Sequence, residues 1–303
     1  MSIKTERLFS RAKKLAKKGD VKEAKEIYTN ILKAFPKNKE AKKEISLLEK
    51  EVSTHPTKEM LDEVMIFYSS GKIKKALENV ESLIKNYPNE PLLFNICGAC
   101  YSEIGSIESS IENFKKAIEL KIDYAEAKFN LGVAFQKINQ LDSASEYYID
   151  AISNQHAYPS AHNNLGIIFL KKGEIDKAVK SFEWAIAYSP NYAEAYNNLG
   201  SALQELKQFK DAKKQFEKAT SINPNYDQAF HNLGILSEII NLPKDAVIHY
   251  ERAVAINPEF AEAYRNLSKV KKFKAKDPQI NQIQSMYSEK NLNIADKARF
   301  GFA

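Results

Sequence analysis

The chain has little of what most function classes require. Only two cysteines occur in 303 residues, which excludes a disulfide-stapled secreted scaffold. Ten glycines and ten prolines, with little valine or threonine, argue against a β-rich architecture. No apolar run approaches 18 residues, so no membrane span is expected. The opening stretch MSIKTERLFSRAKKLAKKGD has charges but no apolar h-region, so no secretory leader is expected and a cytoplasmic location is. His55, His156, His162, His231 and His249 show no ligand spacing, and neither a G-x-G-x-x-G nor a Walker loop is present. Catalysis, a metal and a cofactor are therefore not expected of this chain.

Charge is also poor in one sense, because the net +6 is not spread over the chain. Residues 1–60 carry 16 Lys and Arg against 9 Asp and Glu, residues 61–260 carry 20 against 26, and residues 261–303 carry 9 against 4. Basic ends flank an acidic middle. A nucleic-acid surface needs aromatics interleaved with a basic stripe or a known module, and neither is found, so no nucleic-acid partner is expected.

What the chain has is a repeat. Gly98, Gly132, Gly166, Gly200 and Gly234 are each 34 residues apart, and Ser268 takes the next place. Twelve residues after each glycine stands a small residue (Ser110, Ala144, Ala178, Ala212, Ala246). Sixteen after it stands an aromatic (Phe114, Tyr148, Phe182, Phe216, Tyr250), and nineteen after it an alanine (Ala117, Ala151, Ala185, Ala219, Ala253). Pro190, Pro224 and Pro258 follow in the last three units. Each unit holds two apolar-periodic stretches of about 14 residues, roughly 21 Å each as helices. They are separated by turn signals such as EIGSIES and KKGEIDK. Small residues at glycine and alanine positions let two helices approach closely, and the aromatic fills the gap beside them. Helix pairs are predicted at 57–88, 91–121, 125–155, 159–189, 193–223 and 227–257.

These Leu-Gly pairs, the Ala-aromatic-Ala series and the terminal prolines resemble the tetratricopeptide repeat family, over about residues 57–275. The resemblance implies an all-α, right-handed superhelical solenoid of antiparallel helix pairs. A weaker unit at 57–90 keeps Gly71, Ala76 and Pro88, and another at 5–38 keeps Gly19, Ala24, Tyr28 and Pro36. Their offset of 52 implies half an extra unit, supplied by KEAKKEISLLEKEV, with a bend or loosened packing near residues 50–57. The expected organisation is a divergent N-terminal repeat plus extra helix (1–56), a regular array (57–275) and a helical junction (276–303).

Two residues before the glycine places from 132 to 268 lie Asn130, Asn164, Asn198, Asn232 and Asn266, and one residue earlier, counting from the place of Gly98, lie Asn95, Phe129, Asn163, Asn197, His231 and Arg265. In the family this face lines a concave groove, so the resemblance implies a protein or peptide partner held there. Asparagine offers donors and an acceptor, suited to an extended backbone. The row is similar to the asparagine ladder of O-GlcNAc transferases, although asparagine before Leu-Gly is also common in repeats with no known ligand. A carboxylate clamp needs Lys and Arg in these columns, and Arg265 alone is cationic. One turn earlier on the same face lie Glu126, Ser160, Glu194, Gln228 and Glu262, which make the face mildly acidic or complement the helix dipoles.

Cys97 and Cys100 spell C-x-x-C but fall inside a first helix, in packing columns, so they are expected to be reduced and idle. Trp184, the only tryptophan, sits on a normally polar helix face. Residues 264–303 resemble the junction that joins such repeats to a C-terminal sulfotransferase domain in bacterial proteins, and the chain is expected to be part of something longer. The rival parent is a glycosyltransferase of the O-GlcNAc type, and a freestanding scaffold is the third possibility.

Overall fold

The computed structural model describes residues 3–17, 20–50 and 55–271. Among these there are sixteen α-helices and no strand. Two compact units divide between Ile122 and Asp123. The first contains α1 (Ile3–Lys17), α2 (Val21–Ala34), α3 (Lys39–Lys50), α4 (Lys58–Ser69), α5 (Ile73–Asn86), α6 (Pro91–Glu103) and α7 (Ile107–Leu120). The second contains α8 (Ala125–Lys137), α9 (Leu141–Asn154), α10 (Pro159–Lys171), α11 (Ile175–Tyr188), α12 (Ala193–Glu205), α13 (Phe209–Ile222), α14 (Asp227–Ile239), α15 (Pro243–Ile256) and α16 (Ala261–Val270). All six predicted helix pairs are present, and the all-α solenoid reading stands. Half of the expected break near 50–57, residues 51–54, lies outside the described residues; Gly19 and the junction at 276–303 lie wholly outside them.

Close approach explains the glycine column. A Cβ on Gly98, Gly132, Gly166 or Gly200 would come within 2.6–2.7 Å of the ring of Phe114, Tyr148, Phe182 or Phe216, and one on Gly234 would collide with Tyr250. All five rings are buried. The propensity penalty of glycine inside a helix, about 1 kcal/mol against alanine, is offset by this contact. Where the ring is a tyrosine its hydroxyl needs a partner. Tyr148 donates to Gln136 Oε1 at 2.8 Å, and Tyr250 donates to Glu238 Oε1, each twelve residues earlier.

The turn between the two helices of a hairpin has its own column, which the sequence reading did not isolate. Gly71, Gly105, Asn139, Gly173, Lys207 and Asn241 all have φ between 59° and 82°, and they too are spaced by 34. Each ends a first helix in the left-handed conformation that glycine and asparagine accept most readily. Prolines mark both helix ends. Pro243 opens α15 at its first turn, while α11, α13 and α15 stop two residues before Pro190, Pro224 and Pro258.

Within the second unit every first helix packs on its own second helix, and each second helix packs on the next first helix. The first helices α10, α12 and α14 also touch one another directly. Side chains in adjacent columns on successive first helices are thereby brought within bonding range.

Candidate functional site

The asparagine columns lie on the stacked first helices of the second unit. Asn198 Nδ2 donates to Asn163 Oδ1 at 2.9 Å. Asn232 Nδ2 donates to Asn197 Oδ1 at 2.9 Å. Asn266 Nδ2 and His231 Nε2 lie 3.0 Å apart. The same clasp thus recurs three times with an offset of 35 residues, joining α12 to α10, α14 to α12 and α16 to α14. Its acceptors are buried: Asn163 is 0% exposed, Asn197 4% and His231 1%. Buried amides must be bonded, and these satisfy one another across the repeat boundary.

The clasp fails where the sequence breaks its column. The acceptor place for Asn164 holds Phe129, which has no acceptor. Asn164 Nδ2 instead donates to the Tyr148 hydroxyl at 3.2 Å, continuing into the Tyr148–Gln136 bond. Phe129 fills the space with its ring, 5.6 Å from Tyr148 and 5.0 Å from Tyr158.

Asn164, Asn198 and Asn232 are only half-buried. Each has one N–H engaged by the bonds above, and an amide has two. Asn232 Oδ1 accepts from Gln228 Nε2 at 3.1 Å. These three side chains therefore still offer a donor and acceptor capacity beside the clasps. Asn130 is half-buried on α8, and Asn266 is buried on α16 with its Oδ1 accepting from Lys269 Nζ at 3.1 Å. The Arg265 Nε is buried with no hydrogen-bond partner.

Of the acidic places, Glu194 receives a bond from Asn163 Nδ2 at 3.1 Å and is otherwise exposed. Glu126 is exposed at the start of α8 and Glu262 half-buried at the start of α16. Beside them runs a column that the sequence reading did not isolate: Tyr124, Tyr158, Tyr192, Tyr226 and Phe260, again 34 apart and all half-buried. Burial, followed by the nearby Glu126, pushes the Tyr158 hydroxyl up to about 12. Burial, followed by Glu194, pushes Tyr226 up to about 12. Burial raises Tyr192 as well, against hydrogen bonds with Ser160 and Asn163. The 34-residue spacing was the available signal. The face therefore combines amides, neutral phenols and scattered carboxylates.

The thiols lie elsewhere. Cys97 and Cys100 are free and buried, and burial pushes them up to about 12 and about 11 respectively. That is the reverse of what a reactive thiolate needs. Trp184 is 54% exposed and stacks on Tyr188 at 5.7 Å. Among the described residues no group of His, Cys, Asp and Glu could hold a metal ion, and no helix is long and apolar enough to cross a membrane.

Comparison with known proteins agrees with this architecture. Tetratricopeptide repeat models match residues 98–139, 129–179, 168–207 and 193–226. The peroxisomal targeting signal receptor of Saccharomyces cerevisiae is 29% identical over 69 residues, 23% of this chain and 11% of that receptor. The match thus spans about a tenth of the curated relative's length. The structure titled YrrB, a TPR protein with an unusual peptide-binding site, has a TM-score of 0.51 at 20% identity, covering 61% of this chain and 95% of that one. A chain of the Cut9–Hcn1 hetero-tetramer of the APC/C has a TM-score of 0.62 at 15% identity, covering 97% of this chain and 55% of that one.

Proposed function

We propose that this chain, a solenoid of tetratricopeptide repeats, is a protein–protein interaction scaffold that holds an extended peptide or protein segment along the first-helix face of residues 123–271. The observation that carries the reading is the state of Asn164, Asn198 and Asn232. Their amides are fixed by bonds to neighbouring groups, yet each keeps hydrogen-bonding capacity on a half-exposed face. A row of fixed amides can pair with a peptide backbone without first being ordered, which lowers the entropic penalty of binding. Asn163, Asn197 and His231 act beneath them as the clasp. Glu126, Glu194, Glu262 and the tyrosine column border the groove and favour neutral or basic segments through encounter more than affinity. YrrB is a TPR protein with a peptide-binding site, and this reading gives the present chain the same ligand class on its own amides.

The narrower form of the proposal makes the scaffold the recruiting arm of a sulfotransferase-type protein. Its support is the sequence series of residues 264–303, and a phosphate-binding loop encoded after Ala303 would be its test. The O-GlcNAc-transferase-like alternative is supported by the asparagine column alone. A cytoplasmic setting is part of the proposal, supported by two free thiols in the core. The repeat scaffold is in general a non-catalytic fold.

The test is direct. The full chain is titrated with a panel of synthetic 15-residue peptides of differing charge, and binding is mapped by amide chemical shifts. Perturbations on α10, α12 and α14 are expected. Binding confined to the second helices would overturn the reading.

A further inference from the structure

Two of the three clasps are built from amides alone, and the third contains an imidazole. At α14–α16, His231 Nε2 sits 3.0 Å from Asn266 Nδ2. The orientation of that amide is pinned from its other end, where Asn266 Oδ1 accepts from Lys269 Nζ at 3.1 Å. Turning the amide over would set its NH₂ against an ammonium. The nitrogen facing His231 is therefore the donor and Nε2 the unprotonated acceptor, which leaves the ring's one proton on Nδ1, where Gln228 Nε2 stands 3.5 Å away and is not a bonding partner. A proton on Nε2 would place N–H against N–H in a site where His231 is 1% exposed.

We propose that the joint between α14 and α16 is a proton-operated latch: neutral His231 holds α16, and protonation of its ring loosens α16 while the all-amide clasps at α10–α12 and α12–α14 stay closed. The inference does not depend on the peptide-groove reading. The groups acting on the ring come from its own helix, from α15 and from α16 with the residue before it. Asp227 lies on its own helix, and Glu262 and Arg265 lie on α16. Lys269 reaches it through Asn266, and Gln228 Nε2 lies 3.5 Å from Nδ1. From α15, the Tyr250 ring is 5.7 Å away, and Phe260 before α16 is 4.8 Å away. On α12, the neighbours in the clasp columns, Asn197 and Asn198, are uncharged. Desolvation lowers the pKa of His231, with Glu262 and Asp227 opposing it and Arg265 adding to it.

The folded ring resists a proton that the unfolded ring accepts in the ordinary histidine range, so stability is lost as pH falls through and below about 6.5. Burial also lowers the pKa of His162 and His249, so general acid sensitivity alone does not identify the latch. Location does. The structure places the loosening at α16, apart from the two amide clasps.

Hydrogen–deuterium exchange of the full chain at pH 7.5 and 5.5, corrected for intrinsic rates, is the experiment. Peptides from 261–270 should exchange about fivefold faster at pH 5.5, the worth of one hydrogen bond, while peptides from 193–205 should not change. His231→Asn restores the residue that the column itself uses at 163 and 197, so it should fold and abolish the acid response at α16. An NMR titration of the wild-type His231 ring should coincide with loss of α16 protection. Equal acid sensitivity of α16 in wild type and His231→Asn, or no response in wild type, would overturn the latch.

Discussion

The α4–α5 hairpin and the five hairpins that follow it solve the same packing problem with different residues. From α6 to α15 a glycine on the first helix meets an aromatic ring on the second. Thirty-four residues before Gly98 and Phe114 stand Val64 and Val80, both buried. Two medium side chains replace one absent and one large. In α1–α2 the pair in the corresponding places is Ala12 and Tyr28, also buried. The space between the two helices is filled in each case, but divided differently between the two side chains, as close packing allows. The columns are therefore coupled pairs and not independent preferences.

That coupling can be broken most severely at Gly200. A Cβ there would already stand 2.6 Å from Phe216. Gly200→Leu should lower stability by roughly 1–3 kcal/mol or more, read as a drop in thermal midpoint. Importing the other solution, Gly200→Val with Phe216→Val, should recover much of that loss. A double variant no better than Gly200→Val alone would show that the pairs are not interchangeable.

A smaller effect, of opposite sign in two regions, separates the tyrosines. The Tyr28 hydroxyl is buried with no hydrogen-bond partner. The Tyr148 hydroxyl donates to Gln136 and accepts from Asn164. Removing an unsatisfied buried group should help, and removing a bonded one should hurt, each by about 1 kcal/mol. Tyr28→Phe is expected to raise the denaturation midpoint and Tyr148→Phe to lower it. Shifts in the same direction would contradict the account of these hydroxyls.

The smallest effect concerns the turn column. Lys207 has φ of 60° where three of the other five hairpins use glycine. Lys207→Gly should stabilise by roughly 0.5–1 kcal/mol, since a side chain in the left-handed region is strained. Chemical denaturation of the full chain reads this directly, and a destabilised variant would show that Lys207 is not strained.

How much of this was readable from the chain depended on the kind of constraint. Close approach leaves its mark on two columns at once, because glycine at one place and a ring at the other are both demanded. The helix pairs and the core were legible for that reason. The turn column was hidden, because Gly, Asn and Lys all occupy it and only backbone angles unite them. The asparagines were visible as a row, but their clasp was not. It pairs unlike columns at an offset of 35, and that offset follows from how first helices stack. The tyrosine column was spaced as regularly as the glycines, yet half-burial beside acids gives it no compositional signature apart from helix starts.

The central claim is that half-buried amides on a face locked by clasps hold an extended segment. Its most direct measurement compares two variants for both melting and affinity, using a peptide selected from the panel. Asn163→Ala with Asn197→Ala removes the buried acceptors, while Asn164→Ala, Asn198→Ala and Asn232→Ala together remove the amides proposed to face the ligand. Both variants should melt earlier, because both break bonds between neighbouring groups. The triple variant should lose affinity by roughly 3 kcal/mol, or about a hundredfold at about 1 kcal/mol per bond, while the double variant, which keeps the ligand-facing amides but no longer fixes them, should lose far less. A triple variant that melts earlier yet binds the peptide as the parent does would contradict the claim and leave the asparagine row as a purely structural seam.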